Sequence, residues 1–110
     1  MGESQERDWK LFRKRVPEWQ ERYMAKLVGE YAAILAGSEL PSTKFWKLEK
    51  RIGRDKRRAG VCTDMRRSAM FQDLLCLLNE KAITEDDLDG FSEGLKQQLL
   101  FGQSITQRLP

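Results

Sequence analysis

Apolar residues recur at helical spacing through nearly the whole chain, and the interruptions of that rhythm mark its elements. Trp9, Leu11, Phe12 and Val16 open the pattern behind Ser4, a residue suited to capping a first helical segment. Pro17 lacks the amide hydrogen that a helix interior uses and disfavours α geometry at Val16, so the helix is predicted to kink there or to restart. Trp19, Tyr23, Met24, Leu27, Tyr31, Ile34 and Leu35 then share one broad face. Glu18, Arg22, Lys26 and Glu30 fall four apart on the other, where Glu18 with Arg22 and Lys26 with Glu30 form surface pairs. Gly37 closes the helix.

Ser42 or Thr43 caps a shorter second helix with Phe45, Leu48 and Ile52 at i, i+3, i+7, and residues 53–60 form the connection. A third helix is predicted from about Val61–Thr63 to about Lys81. Ala69, Met70, Phe71, Leu74, Leu75, Cys76, Leu77 and Leu78 cover most of its wheel, which marks a central helix packed on several sides. ITEDDL resembles a capping box, with Thr84 and Asp87 as its reciprocal pair. Leu88, Phe91, Leu95 and Leu99 follow as a narrow stripe, a candidate homodimer face, with Gly90 and Gly94 on the same fourth helix. The reading is all-α: an irregular bundle of about four helices, with a long, Pro-kinked first helix and a buried third. Residues 1–101 form one domain, and 102–110 form a flexible tail.

Composition supports this and narrows the function. The 110 residues are 40% apolar and 34% charged, too apolar for disorder and rich enough in charge for ion-paired outer faces. No run of about 18 apolar residues is present to span a bilayer. The N-terminus has acids before any apolar block, unlike a secretory signal, so a cytoplasmic location is expected; Gln5 and Glu6 make Met-Gly a poor myristoylation context. Cys62 and Cys76, placed on one helix fourteen residues apart, would lie roughly 21 Å from each other, beyond disulfide reach.

The absence of histidine removes imidazole-based triads, bases and metal ligands. Two cysteines alone cannot complete a zinc site, and no glycine-rich phosphate loop precedes a helix. The remaining acids, such as Asp64, Asp73 and Glu80, read as surface or cap residues. The chain is therefore expected to be non-enzymatic and without cofactor. EDDLDGFSEGLK places Glu85, Asp87, Asp89 and Gly90 at positions of a calcium loop, but the twelfth position is Lys96 where a bidentate Glu is required, and a capped acidic helix start explains the same residues.

One stretch does not average out. KLEKRIGRDKRRAGVCTDMRRS, residues 47–68, holds nine basic and three acidic side chains, a net of +6 in a chain whose total is +3. Lys50, Arg51, Arg54, Lys56, Arg57, Arg58, Arg66 and Arg67 are its candidate contacts. Gathered at one pole they would attract phosphate or an acidic protein; the bland alternative is the solvated C-terminal end of a helix, pairing within the chain. A helix-turn-helix reader fits poorly, because the connection is long and the following helix too apolar for a groove. Trp19 reads as core, and Trp9 and Trp46 as core or partner anchors.

DWKLFRKRVPEWQERYM, KFWKLEKRI and ITEDDLDGFSEGLK resemble a group of short, uncharacterised proteins found mainly in Gram-positive bacteria. The resemblance implies a small bacterial cytosolic helical protein and transfers no activity. Some members carry a multidrug-transporter label, which the lack of a membrane span contradicts. The expected function is an interaction or regulatory role, docking a protein partner through a helix face and a basic patch; the alternative is a nucleic-acid-binding accessory protein using residues 47–68.

Overall fold

A computed structural model describes the backbone of residues 2–63 and 65–108 and the side chains of 5–63 and 65–103. Four α-helices form it: α1, Gly2–Ala36; α2, Pro41–Asp55; α3, Met70–Asn79; and α4, Glu93–Arg108. Short 3-10 turns at Arg67–Ala69 and Glu85–Leu88 lead into α3 and toward α4, and no strand occurs among the described residues. The all-α expectation holds. The 35 residues of α1 span about 52 Å at 1.5 Å per residue, close to the 57 Å long axis of the molecule.

The core gathers along the first three quarters of α1. Trp9, Phe12, Val16, Trp19, Tyr23 and Leu27, three or four apart, are buried against Leu74, Leu77 and Leu78 of α3, against Ala82, Ile83, Leu88 and Phe91 of the connection, and against Leu99 of α4. Each fully buried large side chain contributes about 1.5–3 kcal/mol, so this cluster supplies most of the drive to fold. The only residue of α2 that is buried is Asp55.

Several boundaries differ from the sequence reading. α1 runs unbroken across Pro17. The ring sits on the exposed side between buried Val16 and Trp19, so water can solvate the carbonyl the proline leaves unbonded. α1 begins at Gly2, ahead of Ser4, whose side chain is outside the described residues. α2 starts at Pro41, with proline in the first helical position and Leu40 at the cap, and it continues through Gly53.

α3 begins at Met70 rather than near Val61. The amides of Val61 and Cys62 both donate to the Arg58 carbonyl, and the Thr63 hydroxyl donates to Ala59, which winds the segment into a turn. α3 is buried along one broad face, while Phe71 is exposed. Cys62 is therefore not on that helix; both thiols are free.

The Thr84–Asp87 capping box is present, with the Thr84 amide donating to the Asp87 carboxylate at 2.8 Å, but it opens a 3-10 turn rather than α4. Gly90, at φ +94°, breaks the path. Ser92 then stands before α4, its amide and hydroxyl donating to the buried Asp8 carboxylate at 2.8 and 2.7 Å. α4 continues past Gly102 to Arg108. A Cβ at Gly102 would lie 3.3 Å from Leu75, so this glycine lets α4 approach α3 closely.

Candidate functional site

The eight basic candidates do not form one pole. Arg51 donates to Glu30 at 2.6 Å and to Asp55 at 3.4 Å, and Arg54 and Arg58 pair with the other Asp55 oxygen at 3.3 and 3.6 Å. Arg67 instead pairs with Glu6 at 2.9 Å and lies over the Trp9 ring. Glu6 and Glu30 are 24 residues apart on one continuous helix, or about 36 Å, which separates the arginines they hold. Arg66 is exposed and also has a partner. Lys50, Lys56 and Arg57 make no ion pair among the described residues.

Asp55 explains why the central arginines cluster. Its carboxylate is 2% exposed and accepts the Tyr31 hydroxyl at 2.7 Å, which pins the end of α2 to α1. Burial pushes the carboxyl up, but the Tyr31 hydroxyl, Arg54 and Arg51 outweigh it and hold the group below its ordinary value of 3.8. Burial, then the bond to Asp55, pushes the Tyr31 phenol up to about 12. Much of the net positive charge that stands out in the sequence is thus consumed in a structural clamp.

Clamping α2 this way leaves an apolar face uncovered. Leu48, Arg51 and Asp55 lie along the side of α2 turned toward α1, so Phe45 and Ile52, seven apart, fall on an adjacent line. Phe45 is 62% exposed and Trp46, in edge-to-face contact with it at 4.9 Å, is 64% exposed. On α1, Val28 is 61% exposed, and Leu35, again seven apart, is also exposed. Val28 and Ile52 belong to the same side of the hairpin, because both line a cavity of about 160 Å³ with Met24, Leu27, Tyr31 and Val61. The segment LVGEYAAILAG, residues 27–37, contains one charged residue, Glu30, and Arg51 holds it. Gly29, Ala32, Ala33 and Ala36 are exposed as well.

The other candidates are spoken for. Trp9 and Trp19 are core, whereas Trp46 is not. Leu88, Phe91 and Leu99, expected as a homodimer stripe, are buried within the chain. The Glu18–Arg22 and Lys26–Glu30 pairs give way to longer-range ones: Arg22 donates to both Asp87 oxygens at 2.9 and 3.0 Å, and Glu30 goes to Arg51. Burial pushes the Asp87 carboxyl up, but Arg22 and Thr84 together outweigh it and keep the group below its ordinary value.

An open cleft of about 870 Å³ between the starts of α1, α3 and α4 contains Asp8, Arg67 and Ser92 beside the Trp9 ring; Ser92 donates to Asp8, and Arg67 pairs with Glu6. No group of metal-ligating side chains occurs among the described residues, and the acidic loop is occupied by its own capping. Asp73 has a partner, and Asp64 is outside the described residues. Among the described residues, no helix is long and apolar enough to cross a membrane. Searches against protein-family models, curated proteins and solved structures found no match to the chain.

Sequence reasoning used the Phe45, Leu48, Ile52 spacing only to place the second helix and passed over Val28. The signal that could have exposed the face is the near absence of charge in residues 27–37, set against the charged outer side of the preceding helix.

Proposed function

We propose that this chain is a non-enzymatic interaction protein that docks a protein partner through the apolar side of the α1–α2 hairpin. The observation that carries the reading is that Val28, Leu35, Phe45 and Ile52 are all exposed on two helices that the Tyr31, Glu30, Arg51 and Asp55 clamp holds side by side. Exposed apolar surface of this extent marks association sites on proteins that otherwise bury such residues. Lys56 borders the face and, like Lys50 and Arg57, makes no ion pair among the described residues.

A pull-down from the source cell separates the face from the charge. Replacing Phe45 and Val28 with Glu should abolish capture of a specific partner, and replacing Arg54, Arg57 and Arg58 with Glu should weaken it less. Equal recovery by the Phe45 and Val28 variants would sink the reading.

One observation favours a second reading, binding of single-stranded nucleic acid. Trp46 is exposed beside Lys47 and Lys50 on an open surface, and an aromatic platform among lysines suits base stacking with phosphate contact. That reading requires affinity for labelled RNA or DNA that falls steeply with salt and with Trp46→Ala; no binding at low salt removes it.

A further inference from the structure

We infer that the partner covering the α1–α2 face is a second copy of this chain, paired about a two-fold axis that swaps the ends of the two hairpins. The inference rests on the docking reading above and names its occupant.

The first argument is fit. The cavity between Val28 and Ile52 holds about 160 Å³ and has apolar walls apart from Asp55 and Lys56. A dry pocket of about 150 Å³ accepts a benzene ring, so this one accommodates a phenyl side chain. The same face carries such a group on its own surface: Phe45, about 10 Å along α2 from Ile52 by helical rise. In an end-swapping two-fold, Phe45 of each copy meets the cavity beside Ile52 of the other, and Val28 meets Leu35. One patch thus supplies both knob and hole, as an isologous interface requires.

The second argument is chemical. On α1 the face is uncharged, since its neighbour Glu30 is held by Arg51. A strongly acidic peptide or a nucleic acid finds no counter-charge there, whereas another apolar helix pair needs none.

The third is extent. Covered aromatic side chains bury about 150–250 Å² each, so Phe45, at 62% exposed, leaves roughly 120 Å² uncovered. Val28, Leu35 and Ile52 add to this. Together they form the apolar centre of an interface of the ~800 Å² per partner that specific dimers bury, with the surrounding rim supplying the rest.

Sedimentation velocity over a concentration series tests the pairing. The wild type should shift from the 12.9 kDa monomer toward twice that mass. Phe45→Ala and Val28→Glu, both at exposed positions, should each weaken dimerisation tenfold or more with unchanged thermal unfolding of the dilute monomer. A wild type that stays monomeric to near-millimolar concentration overturns the inference, as does a dimer indifferent to both variants. Either result leaves the docking reading intact if the pull-down still depends on Phe45 and Val28, so the two failures are distinguishable.

Discussion

Asp55 ties two helices together through one carboxylate, and its energetics follow from its burial. Asp55→Asn keeps the shape but removes the charge that Arg51, Arg54 and Arg58 face, and breaking a buried pair in this way costs about 3 kcal/mol. Urea unfolding should therefore show a lower midpoint for the variant. The same carboxylate sets an acid limit. Because the folded values of Asp55 and Asp87 lie below the ordinary 3.8, the stability they contribute is complete above that value and drains as pH falls through it toward the folded values. At the other extreme, Tyr31 ionises near 10.0 when unfolded and near 12 when folded, so stability should fall again between those values. Both limbs should be shallower in Asp55→Asn. Gly60 is a second sensitive position: a Cβ there would sit 2.4 Å from the Tyr23 ring, in a contact that neither residue can leave easily. Gly60→Ala should destabilise by about 1–3 kcal/mol through overpacking, read as a lower thermal midpoint.

α1 carries a proline in its interior, and the helix persists because buried residues on both sides hold it. Pro17→Ala restores the amide that can donate to the Arg13 carbonyl and should raise stability by about 1–3 kcal/mol; an unchanged unfolding midpoint would show that the ring costs this helix nothing. The four helices were legible in sequence because their apolar residues keep a period near 3.6. Their ends were not, because contacts remote in sequence set them. The turn after α2 depends on Gly60 lying under Tyr23, and the delayed start of α4 on the positive φ of Gly90 and on Asp8, more than eighty residues upstream, engaging Ser92. Ion pairs failed for the same reason: i, i+4 spacing makes Glu18–Arg22 attractive, but Asp87 offers Arg22 a bidentate partner that spacing cannot reveal.

At the scale of the molecule, one end of α1 is wrapped by α3 and α4 and the other is flanked by α2 and the turn at Val61. The charge count located the basic stretch but not its use, since Arg51, Arg54 and Arg58 turn toward Asp55 and Arg67 departs to Glu6. The Leu88–Leu99 stripe looked available and is interior; the Val28–Ile52 face, which the sequence pattern did not single out, is open. Association through that open face is the central claim, and amide hydrogen exchange of the full chain in dilute and concentrated solution tests it most directly. Exchange should slow on concentration across residues 28–36 and 45–55 and stay constant across α3 and α4. Slowing confined to α3 or α4, or no slowing anywhere, would contradict it.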